Sequence, residues 1–170
     1  MSHFKTFKYL LAAGCLTAAT GAFADTTVPM NFTAATGVGE SAGTVTISET
    51  KYGLLFTPNL HGLTASVRGF HVHTNPDCDK DGMAAGGHFD PKNTGKHLGP
   101  YNENGHLGDL PVLVINADGT ATLPVLAPKL RHLSDVSGHA LMVHHAGDNY
   151  SDVPAPLGGG GARMVCGVIK

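Results

Sequence analysis

Missing from the sequence are a sustained helical period, a long apolar run and any cluster of basic residues. Without apolar residues recurring every third or fourth position, a helical bundle is excluded. The apolar run near the start, Tyr9 to Ala13, is too short for a bilayer span and is interrupted by glycine and threonine. No basic stretch is present to track phosphates, and 11 Lys and Arg face 13 Asp and Glu. A nucleic-acid role is therefore excluded. No internal repeat is found, and cysteine is scarce, at three.

What is present begins with a leader pattern. Lys5 and Lys8 precede the apolar run, and Ala22-Phe23-Ala24 closes the segment before Asp25. A positive start, a short apolar stretch and an A-x-A end predict a signal peptide over residues 1–24, cleaved after Ala24. Residues 25–170 are then one domain, long enough to bury a sizeable core. Ala12-Ala13-Gly14-Cys15 offers an alternative, lipoprotein processing with anchoring at Cys15, although its apolar region would be very short. Cleavage removes Cys15 and leaves Cys78 and Cys166. An even pair in an exported protein reads as a disulfide, with two free thiols as the alternative. Cleavage also removes Lys5 and Lys8, leaving nine basic residues against 13 acidic ones, a net of about −4.

The chain is organised around Gly69 to Leu110, which holds five of the 11 histidines, a cysteine, several carboxylates and many glycines. That is the composition of a metal site. Gly69-Phe70-His71-Val72-His73 alternates as a strand, so His71 and His73 share one face while Phe70 and Val72 pack on the other. His88, His97 and His106 follow at nine-residue intervals in a stretch too rich in glycine for a helix, with Asp109 three further on. Several imidazoles with one carboxylate suit zinc, and imidazole also suits copper.

Elsewhere the pattern is one of short strands and turns. Strands are expected at 44–48, 52–57, 67–73, 111–116, 120–126, 138–144 and 163–169, with a type I′ turn at Asp118-Gly119. In the strand at 138–144, Leu141 and Val143 share one face and His144 takes the other. A second loop, 147–161, is rich in Gly, Pro and Asp. Short strands with turn chemistry between them indicate an antiparallel sandwich or barrel.

The motifs GFHVH, GGHFDP, KHLGP, GHLGDL, LMVHH and ARMVCGVI, in this order and spacing, resemble the copper–zinc superoxide dismutases of the bacterial exported branch. The resemblance spans the mature chain. It implies an all-β fold, an eight-stranded antiparallel Greek-key barrel with two long loops holding the metals, and a periplasmic location. It further implies one copper, on His71, His73, His88 and His144, and one zinc, on His88, His97, His106 and Asp109. His88 would bridge the two as an imidazolate and carry a proton during turnover, while zinc, redox-silent, tunes its basicity. Asp148 matches the carboxylate that orients His71 and His97, and Cys78 and Cys166 match the family's bridge. Arg163 matches the arginine that attracts the anionic substrate, superoxide. The reaction implied is conversion of two superoxide anions and two protons to dioxygen and hydrogen peroxide. A homodimer is the family's common habit in bacteria.

One departure stands out: the stretch from Asp148 to Arg163 contains no lysine. Lys80 is then the candidate for steering charge, with Lys92 or Lys96 behind it. His61, His132, His139 and His145 match no ligand position. Two other readings compete. A non-catalytic periplasmic copper/zinc-binding protein predicts loss of a bridging or copper ligand or of Arg163, and every position is filled. A zinc hydrolase of the H-x-H type wants another His or Asp just after the pair, where Thr74-Asn75-Pro76 stands.

Overall fold

The computed structural model describes residue 1 and residues 24–170. The expected leader falls almost wholly on residues 2–23, outside the described residues. Nine strands follow: β1 (Asp25–Thr33), β2 (Val38–Thr50), β3 (Gly53–Leu60), β4 (Ser66–Arg68), β5 (Phe70–His73), β6 (Leu113–Ile115), β7 (Val125–Ala127), β8 (Ala140–His144) and β9 (Arg163–Val168). The only helical pieces among the described residues are three short 3-10 turns. Seven strands form one antiparallel sheet in the order β5-β8-β9-β1-β2-β3-β7, and β4 pairs with β6 in a second. Neighbours such as β3 and β7 or β5 and β8 are far apart in sequence, which is the mark of Greek-key connections.

The strand expected over 67–73 is divided at Gly69. Before it, Arg68 pairs with Leu113; after it, Phe70 pairs with Val143. One extended segment thus changes partners and passes from one sheet to the other, and its division gives nine strands among the described residues where eight are expected. A side chain at Gly69 would put its Cβ 3.1 Å from Cε1 of His71, so glycine here leaves the ring its space.

Alternation fills the barrel. Val28 and Met30, Val45 and Ile47, Leu54 and Phe56, Phe70 and Val72, Leu141 and Val143 are all buried in one cluster. Phe56 and Phe70 meet edge to face at 5.8 Å between ring centres. β1 is not among the expected strands, and it carries Pro29 in its middle. Pro29 faces Thr44 of β2, and β9 pairs with β1 only at Asn31 and Phe32, so the missing N–H interrupts no ladder on that side. The expected type I′ turn is corrected: only Gly119 has a positive φ (82°), whereas type I′ needs two such residues. Asp118 instead accepts hydrogen bonds from the Thr120 N–H and hydroxyl. The segment after this turn also stays off β6: Ala121 bridges to Leu60, and Val125–Ala127 alone forms a strand, against β3.

On β5 and β8 both faces are buried. Their inner face meets the core. Their outer face lies under two long loops, the first of which the Cys78–Cys166 disulfide ties to β9. That bridge closes 88 residues, for which chain entropy predicts at most about 4.6 kcal/mol of stabilisation.

Candidate metal centre

The outer face of β5 and β8 presents His71, His73 and His144, all buried. His88 joins them because its backbone bridges to His73, immediately after the 3-10 turn Met83–Ala85. Asp109 is brought in the same way, by a bridge to His71. One ligand atom from each of His71, His73, His88 and His144 can be chosen so that all lie within 4.8 Å of one another, and the same holds for His71, His88, His97 and Asp109. The second grouping contains His71 where the sequence reading has His106. His106 stands beside it: Nδ1 atoms of His88, His97 and His106 are 3.0, 3.1 and 3.4 Å from Oδ1 of Asp109.

Hydrogen bonds at the outward nitrogens fix which nitrogen of each ring faces inward. His73 Nδ1 donates to the Gly86 carbonyl (2.9 Å) and His144 Nδ1 to the Gly161 carbonyl (3.2 Å), which leaves both Nε2 atoms unprotonated and 3.3 Å apart. His71 Nε2 and His97 Nε2 donate to the two oxygens of Asp148 at 2.7 and 2.8 Å, which leaves their Nδ1 atoms facing inward. The His88 ring stacks on His71 at 3.9 Å, with its Nδ1 on the Asp109 side.

Whether a cation fits can be tested on atoms that are otherwise unsatisfied. Nδ1 of His71, His97 and His106 and Oδ2 of Asp109 are buried and make no hydrogen bond. Each such orphan costs about 1–3 kcal/mol, and three of the four, on His97, His106 and Asp109, lie close together, so they call for a partner. Four donors about 2.0–2.1 Å from a common centre sit roughly 3.3–3.4 Å apart in a tetrahedron, close to the three separations around Asp109. The donor set fits zinc on the Asp109 side and, being all imidazole, copper on the other.

Electrostatics agree for the three strand-borne rings. Burial, with the neighbouring imidazoles, lowers the pKa of His71 to about 3, of His73 to about 2 and of His144 to about 4, so all three are neutral donors near pH 7. Burial lowers that of His88 too, against the pull of Asp109. His97 differs: burial disfavours its cation, but Asp109 and Asp148, one at each ring nitrogen, outweigh this and hold its pKa up at about 9. Burial would raise both carboxyls, yet the histidines around them keep Asp109 and Asp148 well below the usual range.

Arg163 donates to the carbonyls of Gly82 and Gly86, and Gly86 also receives His73 Nδ1. The loop that the disulfide tethers therefore holds both the arginine and a histidine. A cavity of about 250 Å³ opens over His73, His88, His144 and Arg163, with Leu157 and Gly160 on its rim. A larger one, about 380 Å³, lies on the far side of the bridge against Pro29, Val38 and Cys166, and holds none of the histidines.

Lys80, Lys92 and Lys96 are exposed, outside the cavity lining. None of the four other described histidines joins the site. His132 faces Glu49 at 3.6 Å, His139 stacks on Phe89 and bonds the Thr74 carbonyl, and His61 and His145 are exposed.

Two residues escaped the sequence reading. Asp152 accepts the His97 N–H (2.9 Å) and the Leu157 N–H (3.0 Å), joining a site histidine to the cavity rim. The Tyr150 hydroxyl accepts the Val112 N–H at 3.0 Å, docking the second loop on the first. Nothing local separates either from an ordinary loop side chain. At Gly158, φ is +73°, and a Cβ would collide with Oδ1 of Asp148 and lie 2.7 Å from Nε2 of His97. Only glycine fits there.

Residues 41–169 match the family model described as Copper/zinc superoxide dismutase (SODC). The chain is 61% identical over 169 residues to "Superoxide dismutase [Cu-Zn] 1" of Salmonella typhimurium, covering 94% of this chain and 96% of that one. Its fold is similar to that of the Cu/Zn superoxide dismutase from Brucella abortus (TM-score 0.82, 53% identity, 86% of this chain and 100% of that). It is also similar to the solution structure of the monomeric copper, zinc superoxide dismutase from Salmonella enterica (TM-score 0.76, 57% identity, 86% and 100%). No helix among the described residues is long and apolar enough to cross a membrane. With identity running over nearly the whole length and the fold in agreement, the chain belongs to the copper/zinc superoxide dismutase family.

Proposed function

We propose that His71, His73, His88 and His144 hold copper, that His88, His97, His106 and Asp109 hold zinc, and that His88 serves both. The protein converts two superoxide anions and two protons to dioxygen and hydrogen peroxide, as its family does. When bound, copper supplies the alternating one-electron reduction and reoxidation, and zinc adds a redox-silent positive charge at His88. The chain's own residues do the rest. Nδ1 of His88 is held on the Asp109 side, so its Nε2 is the atom free to take up and return a proton at the cavity floor. Arg163, fixed by two carbonyls beside that floor, attracts the anion and orients it by donated hydrogen bonds. Asp148 holds one ring of each set in a single tautomer.

The single observation that carries this reading is the His88 ring, placed between the Asp109 carboxylate and the strand-borne histidines. Elemental analysis with an activity assay tests it. One copper and one zinc per chain, with activity lost when copper is removed, is expected. A crystal grown with both ions in which His88 touches neither would overturn it.

Lys80 is proposed to steer superoxide toward the cavity, in keeping with its exposed charge and the lysine-free second loop. Residues 1–24 are proposed as a cleaved leader delivering the domain of residues 25–170 to the periplasm. A persistent Cys78–Cys166 bridge suits that oxidising compartment. The N-terminal mass of the exported protein distinguishes a chain beginning at Asp25 from one lipidated at Cys15. The homodimer is carried forward as the assembly to test. Sedimentation at micromolar concentration distinguishes it from the monomer that the Salmonella enterica relative is described to be.

A further inference from the structure

Residues 89–112 carry His97 and His106 with neither strand nor helix to stiffen them, apart from the single bridge residue Asp109. Some of its order is internal, as where the His106 N–H donates to the Lys96 carbonyl (2.9 Å), and the rest comes from contacts made by other parts of the chain. Asp152 supplies one such contact from the second loop. The opposite side is served by Lys129, two residues beyond β7 on the barrel itself. Its ammonium donates to the carbonyls of His106 (2.6 Å), Gly99 (3.0 Å) and Asn102 (3.4 Å). An ammonium has three donors and no acceptor, so these carbonyls use its full capacity. The His106 carbonyl also lies at the turn leading to Asp109, whose N–H approaches it at 3.5 Å. One cation therefore holds the backbone of a turn that bears two zinc-side groups. A positive charge this near a cation site opposes the ion, so its presence calls for a compensating role.

We infer that Lys129 is a positioning residue for zinc: it clamps the stretch from Gly99 to His106 onto the barrel so that His106 Nδ1 meets Asp109. The inference rests on the reading that His88, His97, His106 and Asp109 hold zinc. Its ammonium works through the backbone of His106 and touches neither ion nor substrate.

Lys129→Met keeps the apolar stem and removes the donors. Chelator competition should find zinc bound about 10- to 100-fold more weakly. Copper affinity should stay unchanged, and the visible absorption of cobalt substituted at the zinc position should shift. Lys129→Arg should recover most of the loss, because a guanidinium also donates to several carbonyls. Zinc affinity and cobalt absorption equal to wild type in Lys129→Met would overturn the inference. Equal weakening of copper and zinc would do the same, since that is general loosening. A measurement on the wild type needs no variant to fold: in the zinc-loaded protein the Lys129 ammonium hydrogens should exchange more slowly than those of exposed Lys92. Equal rates would also overturn it. Wild-type protein that binds no zinc at these residues would remove the ligand assignment as well, whereas tight wild-type binding left intact by Lys129→Met would remove this inference alone.

Discussion

The two halves of the site are built by different means. His71, His73 and His144 stand on β5 and β8, whose inner faces insert Phe70, Val72, Leu141 and Val143 into the core. Strand register and apolar packing place those rings. His97 and His106 stand on irregular backbone and are placed by polar contacts from Asp148, Asp152 and Lys129, with Asp109 held by its single bridge to His71. The strand-borne half is shaped before any ion arrives, while the loop-borne half is only as well ordered as the hydrogen bonds that reach it. His88 sits where the two meet.

Four substitutions should break or sharpen this contrast. The largest effect is expected from Phe70→Ala, which empties the core beneath His71 and its partner Phe56. A loss of about 3–5 kcal/mol is expected, read as a fall in calorimetric Tm. A change no larger than that of a surface substitution would mean that the core does not support the strand-borne half. Asp148→Asn comes next. Its carboxylate accepts from both His71 and His97, and an amide offers one acceptor and turns a donor toward the other ring. Affinity for at least one of the two ions should fall about 10- to 100-fold in chelator competition. Full retention of both would deny Asp148 its orienting role.

Asp152→Asn should touch the loop-borne half alone, at about 1 kcal/mol for one hydrogen bond made poorer. The His97 amide should exchange faster with solvent while the amides of β5 stay protected. Equal acceleration in β5 would erase the distinction between the halves. Lys80→Glu should have the smallest effect, a lower rate at low ionic strength that converges on wild type as salt rises. Superimposable salt profiles would move the steering charge elsewhere, with Lys92 and Lys96 next to examine.

Local pattern made the strand-borne half legible. Alternation at Phe70-His71-Val72-His73 and at Leu141-Met142-Val143-His144 assigns each residue a face, and the structure keeps those assignments. The same logic failed where a rule-breaking residue is tolerated by context. β1 carries Pro29 and still forms, because β9 pairs too little of that strand to miss its N–H. Gly69 was passed over inside one expected strand, although the chain changes partners there. Asp118-Gly119 marks a turn that the structure does close, with the Asn116 N–H on the Thr120 carbonyl, but it is not of type I′, since Asp118 lacks a positive φ and binds Thr120 with its side chain.

By itself, the sequence determined the all-β class, the faces of the strands and a concentration of ligand-type residues between Gly69 and Leu110, because these depend on neighbours two or three positions apart. Only the tertiary structure decided which nitrogen of each ring turns inward and what orders the loop. Those choices rest on pairs such as His71 with Asp148, 77 residues apart, and His97 with Asp152, 55 apart. A hydrogen bond acts over about 3 Å, and only folding brings such distant groups within that reach.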